Sequence, residues 1–215
     1  APLLAKRSLP AKVAPVLGPL TQEAFWTTVG GALPPNSIVL AEAGTSLFGV
    51  VEKRLPPHTL MINQLAWGSI GYTLGALLGA QLAAPERPCV LFIGDGSFQL
   101  TAQELSTMLR HGLTPTIFLI RNEGYTVERL IHGPNQSYND IAQWDYCAFA
   151  KSFAGDCTVF QVRTQHDLER LIQLKRFERA PARSLTFVEV FLPKMDAPQN
   201  LVALGKILDR RNGAA

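Results

Sequence analysis

Charge is scarce in this 215-residue chain: 17% of its residues are Asp, Glu, Lys or Arg, against 47% hydrophobic, and the formal net charge is +3. That balance excludes disorder of the whole chain, which needs low hydrophobicity and high net charge. The Lys and Arg residues are scattered and form no basic stripe interleaved with aromatics, so nucleic acid is not an expected partner. Cysteine is rarer still. Cys89, Cys147 and Cys157 lie far apart and make neither a CxxC pair nor a His-paired metal spacing, so they read as reduced thiols of a cytosolic protein. There is no internal repeat and no low-complexity tract. The opening residues hold no apolar core of a secretory signal, and the chain begins at Ala1 rather than Met, which points to something removed upstream.

What is present is an alternation of apolar strands and helical patterns, the mark of one α/β domain with three layers (α/β/α) and a mostly parallel sheet. Residues 1–20 carry Pro2, Pro10, Pro15 and Pro19 and read as an extended linker, leaving 21–215 as the domain. Thr21 is placed to cap a helix that ends near Leu33, before Pro34-Pro35. Strands are expected at 38–41, 59–63, 89–93, 115–120, 158–162 and 185–191. Helices are expected at 99–111, at 166–177 and from Leu201 to a frayed Arg-Arg-Asn-Gly tail. Residues 65–84 contain no charge and are long enough to be weighed as a transmembrane span. Gly71, Gly75 and Gly79 recur there every fourth residue, a spacing that equally lets a soluble helix pack closely on a sheet. The surrounding strand and helix alternation favours the soluble reading, without a membrane.

Ligands gather outside the carboxyl ends of parallel strands, and both Asp95 and Asn122 fall there. A carboxylate oxygen, an amide oxygen and the backbone carbonyl of Gly124 make three hard donors suited to Mg2+, which keeps its remaining positions for water and phosphate. The helix following Gly94-Asp95-Gly96 adds N–H groups and a positive dipole end for an anion. By spacing alone, two ordinary turns would explain the same residues.

Gly94-Asp95-Gly96-Ser97 together with Asn122-Glu123-Gly124-Tyr125-Thr126-Val127-Glu128 resembles the metal-diphosphate motif of thiamine-diphosphate enzymes, within the pyruvate and indolepyruvate decarboxylase group. Glu42-Ala43-Gly44-Thr45-Ser46, Trp67-Gly68-Ser69-Ile70-Gly71, Gln99-Leu100-Thr101 and Ile131-His132-Gly133-Pro134 extend the likeness over most of the chain. The resemblance implies thiamine diphosphate and Mg2+ as cofactors, with Asp95, Asn122 and the Gly124 carbonyl holding the metal. It implies diphosphate contacts from Thr45, Gly96, Ser97 and the amides of Tyr125, Thr126 and Val127. The Gly68 carbonyl would bind the aminopyrimidine, Ser69 beside it would also contact the cofactor, and Ile70 would wedge the cofactor into a bent form. Glu128 would face substrate as the catalytic acid, with His132 as a further contributor. His58, His111 and His166 read as surface or packing residues, and Trp67, Trp144 and Tyr146 as core or interface.

The implied reaction is non-oxidative decarboxylation of a 2-oxo acid (pyruvate, indolepyruvate, phenylpyruvate or a branched-chain acid) to an aldehyde and CO2. That reaction leaves an electron pair no side chain can accept, hence the cofactor. Arg121 departs from the Asn often found before the metal-binding Asn, and Ala43 replaces a more polar residue. Val127 is smaller than the Ile of some pyruvate-specific relatives and enlarges the pocket toward branched or aromatic substrates. No segment matches the N-terminal pyrimidine-binding domain that carries the activating Glu and a histidine pair. The chain is therefore expected to be inactive alone and to work in a homodimer or homotetramer. The rival readings are a non-catalytic cofactor-binding or assembly module and a carboligating acetolactate-synthase-type relative.

Overall fold

The computed structural model describes residues 18–176 and 182–212. In chain order they form α1 (Gln22–Ala32), β1 (Ile38–Ala41), α2 (Thr45–Val51), β2 (Leu60–Ile62), α3 (Tyr72–Ala83) and β3 (Cys89–Gly94). There follow α4 (Asp95–Thr101), α5 (Glu104–Arg110), β4 (Thr116–Arg121), α6 (Thr126–His132), a 3-10 turn (Ser137–Asn139) and α7 (Tyr146–Lys151). The last elements are β5 (Cys157–Val162), α8 (Gln165–Gln173), β6 (Leu185–Phe191) and α9 (Gln199–Asn212). The strands make one sheet in the order β2-β1-β3-β4-β6-β5, and every neighbouring pair is parallel. The sheet is thus wholly rather than mostly parallel among the described residues.

Strand side chains alternate between two cores, so the near-continuous apolar runs divide by parity. Val39, Val90, Phe92, Phe118, Val188 and Val190 pack with α1, α2 and α8. Ile38, Leu40, Leu91, Ile93, Leu119 and Phe187 pack with α3, α4, α5 and α7 on the opposite face. This is the expected α/β/α sandwich. Each fully buried Leu, Ile or Phe contributes roughly 1.5–3 kcal/mol by leaving water. The first core is also aromatic: Phe92 and Phe118 stack across neighbouring strands at 5.1 Å, with Phe25 and Trp26 edge-on to them.

Local signals set the helix ends. Thr21 Oγ1 accepts from Ala24 N–H at the start of α1, as its position predicts. Thr164 and Asp167 form a reciprocal capping box on α8. Of the expected linker, residues 1–17 lie outside the described residues, but Leu20 is fully packed into the first core and its N–H donates to the Arg163 carbonyl at 3.0 Å.

Several expectations change. The uncharged run 65–84 yields a helix of only 12 residues, about 18 Å long, against the roughly 30 Å of a bilayer core. Among the described residues no helix is long and apolar enough to cross a membrane. Leu74 and Leu77 face the core, while Gly75 and Gly79 are exposed with open space around them, so close packing on the sheet is not their role. The helix expected over 99–111 is two helices broken at Ala102-Gln103, and Leu100 is exposed rather than buried. It also starts earlier, immediately after β3. The short helices α2 and α7 carried too few periodic residues to be read. The strand at 59–63 is confined to Leu60–Ile62, and α8 stops at Gln173, with Phe177 outside the described residues. The terminal helix starts at Gln199 and continues through Arg210 and Arg211 instead of fraying there; Gly213 lies outside the described residues. Tyr146 is core, whereas Trp67 is exposed.

Candidate functional site

Strand order reverses beside β1: the chain leaves it toward β2 and returns on its other side as β3. Loops diverging there open a crevice at the carboxyl ends. The tips of β1, β3 and β4 lead straight into α2, α4 and α6, so three helix N-termini face one narrow cleft. Each leaves first-turn N–H groups without helical partners and a positive dipole end.

Asp95 sits at the floor, fully buried. Its carboxylate accepts the N–H groups of Gly96 at 2.9 Å, Glu123 at 2.8 Å and Gly124 at 3.2 Å. Burial nevertheless outweighs these bonds and pushes its pKa up to about 6. A nearby positive charge would relieve this cost.

Asn122 shows where such a charge fits. With Nδ2 donating to Thr126 Oγ1 at 2.8 Å, the Thr126 hydroxyl is free to donate to the Lys194 carbonyl at 2.7 Å. Asn122 Oδ1 then faces Asp95 Oδ1 at 3.3 Å and the Gly124 carbonyl at 3.2 Å, three oxygens with no hydrogen between them. The opposite amide orientation donates to both oxygens but takes the Thr126 proton away from Lys194. Without a cation the second orientation is the better satisfied; with one, the first presents three oxygen donors to it. No group of three or more His, Cys, Asp and Glu side chains placed to hold a metal ion occurs among the described residues.

The cleft beside these oxygens is small, about 30 Å3, which suits an ion or a single phosphate oxygen rather than a whole cofactor. Thr45, Gly96, Ser97, Asn122, Gly124, Tyr125, Thr126 and Val127 line it, so the structure brings together these sequence-predicted residues from three separate loops. Ser46 lines it too, and its buried hydroxyl has no partner among the described residues, a polar atom waiting for a ligand. The hydroxylated Thr45-Ser46 pair was its sequence signal. Tyr125 closes the wall against Gly96, where a Cβ would meet the ring at 2.5 Å. A much larger cavity of about 870 Å3 lies past Glu123, lined by Arg121, Arg163 and Phe191; it contains none of the three oxygens.

Gly68, Ser69 and Ile70 do not line the cleft but form an exposed turn beside it. Glu42, which sequence reasoning did not assign a role, fastens that turn: its buried carboxyl accepts from Ala43 N, Gly71 N, Thr73 N and Thr73 Oγ1. A lone Glu at a strand end gives no pattern from which such a role can be read. Glu128 lies in the first turn of α6, half-exposed, 3.5 Å from His132 Nε2. His58, His111 and His166 are exposed.

Arg129, fully buried, supports the loop from below. Its Nη2 donates to the carbonyls of Glu123 and Asn139 and to Asp140 Oδ1 at 2.7–2.9 Å. Glu123 adopts φ +61° and Gly124 φ +111°, so this loop needs both restraints. Lys194 and Arg129 hold the Asp140 carboxyl below its usual range.

Comparison with known proteins agrees with this geometry. Residues 43–190 match the family described as thiamine pyrophosphate enzyme, C-terminal TPP binding domain. The chain is 43% identical to pyruvate decarboxylase isozyme 1 of Saccharomyces cerevisiae, covering 98% of this chain and 38% of that protein. It is 46% identical to pyruvate decarboxylase of Aspergillus fumigatus over 90% of this chain and 35% of the relative. With that of Kluyveromyces marxianus it shares 47% identity over 86% of this chain and 33% of the relative. The chain thus spans 33–38% of the length of these relatives. On the matched profile and the cleft that its residues form, the chain belongs to the thiamine pyrophosphate enzyme family, as a C-terminal TPP-binding domain.

Proposed function

We propose that this chain supplies the metal and diphosphate half of an active site for the non-oxidative decarboxylation of a 2-oxo acid to an aldehyde and CO2. The observation that carries the reading is the Asn122 side-chain amide placed 3.3 Å from Asp95 Oδ1 and 3.2 Å from the Gly124 carbonyl at the mouths of three helices, where turning its oxygen inward presents three oxygen donors to a cation. The cofactors of the family are thiamine diphosphate and Mg2+, and the donor set fits them: three hard oxygens for the ion, helix N-termini and hydroxyls for the diphosphate. When bound, the thiazolium ring supplies the electron sink that decarboxylation requires.

In this reading Asp95, Asn122 and Gly124 hold Mg2+, while Thr45, Gly96, Ser97, Tyr125, Thr126 and Val127 bind the diphosphate. Gly68, Ser69 and Ile70 receive the aminopyrimidine on their exposed turn, which Glu42 holds against the tip of β1. Glu128 faces substrate and donates the proton. Its half-exposed side chain is compatible with a pocket that a second domain completes. That domain is a pyrimidine-binding one, and the assembly is a homodimer or homotetramer in the cytoplasm. The domain represented here begins no later than Leu20, which is already in the core. The relatives named pyruvate decarboxylase support pyruvate as substrate. Val127 leaves room for indolepyruvate, phenylpyruvate or branched-chain acids.

The test is Glu128→Gln in the assembled enzyme. Calorimetry with thiamine diphosphate and Mg2+ is expected to show cofactor binding close to the parent's, while aldehyde formation is lost; retained turnover rejects the role of Glu128. Decarboxylation by the 215-residue chain alone rejects the half-site reading. Cofactor binding without turnover, even when the N-terminal domain is supplied to the parent, identifies a non-catalytic module.

A further inference from the structure

β6 reads Leu-Thr-Phe-Val-Glu-Val-Phe, and Glu189 is its one ionisable residue. Strand alternation puts Glu189 on the face of Leu185 and Phe187, inside the core beneath α7, and it is fully buried. A carboxylate there is tolerated only when its oxygens are partnered. Arg121 Nη1 donates to Oε1 at 2.6 Å, while Gln161 Nε2 at 2.8 Å and Cys147 Sγ at 3.4 Å reach Oε2. The Arg121 bond is short and charge-assisted, the strongest kind of the three.

Arg121 is the last residue of β4 and directly precedes Asn122. Its guanidinium also lies over the rings of Phe191, at 5.0 Å, and Tyr146, at 5.8 Å, and its carbonyl accepts from Leu192 N–H at 3.0 Å. Tyr146 continues the connection, because its hydroxyl accepts from Gln99 Nε2 at 2.8 Å and Gln99 belongs to α4, the helix that starts at Asp95. One hydrogen-bonded cluster around the buried Glu189 and Tyr146 therefore ties down both segments that present oxygens to the cleft.

We propose that Glu189 and Arg121 are positioning residues for the metal site: their ion pair, with the carboxylate buried and the guanidinium partly exposed, fixes the end of β4 so that the Asn122 amide oxygen meets Asp95 and the Gly124 carbonyl. The inference rests on the reading of those oxygens as Mg2+ ligands. Neither residue touches the metal. Groups that orient metal ligands commonly alter affinity about 10–100-fold when removed, and an effect passed through the backbone belongs at the lower end.

The experiment titrates Mg2+ into the assembled protein at saturating thiamine diphosphate, reads cofactor binding by fluorescence, and records thermal midpoints in parallel. Glu189→Gln and Arg121→Gln are expected to raise the half-saturating Mg2+ concentration about tenfold, and Arg121→Lys, which keeps the charge, to recover most of that loss. Leu171→Ala, a cavity in the core on the opposite sheet face, is the control: it lowers the midpoint without changing the Mg2+ requirement. Should Glu189→Gln fail to fold, Arg121→Gln decides, its side chain being 24% exposed and more readily replaced. Glu189 and Arg121 variants that lose thermal stability as Leu171→Ala does, yet half-saturate at the parent's Mg2+ concentration, overturn the proposal. A parent without Mg2+-dependent cofactor binding removes the metal reading first, and this inference with it.

Discussion

Burial sets the ionisation of Asp95, and titrating the metal-free chain exposes it. Its carboxyl is surrounded by N–H donors yet stands at about 6 instead of 3.8, because full burial costs the charged form more than those bonds return. A rise of two units corresponds to about 3 kcal/mol. The sign follows from linkage. A group whose folded pKa is raised contributes stability that is complete below its unfolded value and is lost as pH rises through the folded one. The metal-free chain should therefore lose about 3 kcal/mol between pH 4 and pH 6.5, or roughly 6–12 °C of thermal midpoint for a chain of this size. Asp140 and Asp167, whose values are lowered, change stability below the ordinary carboxylate range and do not mask this window. A divalent ion at Asp95 removes the penalty, so the fall seen in EDTA should shrink when Mg2+ and thiamine diphosphate are added. Carboxyl 13C NMR, with the resonance assigned by its loss in Asp95→Asn, measures the group directly. An inflection at or below pH 4, or an EDTA midpoint that does not fall between pH 4 and 6.5, refutes the reasoning.

Gly124→Ala places a Cβ against the Asn139 carbonyl at a φ of +111°, and should cost about 2 kcal/mol or more in a urea titration and abolish Mg2+-dependent cofactor binding. Glu42→Gln turns an amide NH2 toward N–H donors that the carboxyl now satisfies. A loss of about 1–3 kcal/mol is expected, with faster hydrogen exchange at the Gly71 and Thr73 amides; unchanged exchange there refutes the fastening of the 68–71 turn.

Much of the architecture was legible because it rests on short-range patterns. Apolar runs such as Cys-Val-Leu-Phe-Ile and Thr-Ile-Phe-Leu-Ile are too short for helices, are rich in β-branched and aromatic residues and end in glycine-bearing turns, which marks them as buried strands and puts Asp95 and Asn122 at strand ends. Thr21 and the Pro34-Pro35 stop fixed the limits of α1 for equally local reasons. The roles of Gly68, Ser69 and Ile70 came from resemblance alone, and in the fold they sit on a turn outside the cleft.

Other features depended on partners distant in sequence. Glu42 becomes a fastener only because β1 delivers it to Gly71 and Thr73, and Glu189 is tolerable only because β4 and β5 bring Arg121 and Gln161 alongside. Whether the uncharged run 65–84 spans a bilayer or folds onto a sheet was likewise settled by the left-handed turn at Gly71, which limits the helix to 12 residues. The sequence by itself determined the strands, their parallel character and the oxygen-bearing turns, since hydrophobic period and turn chemistry act over a few residues. Tertiary structure decided which oxygens converge and which buried charges find a partner, because Coulomb and hydrogen-bond energies depend on distances that only the assembled sheet creates.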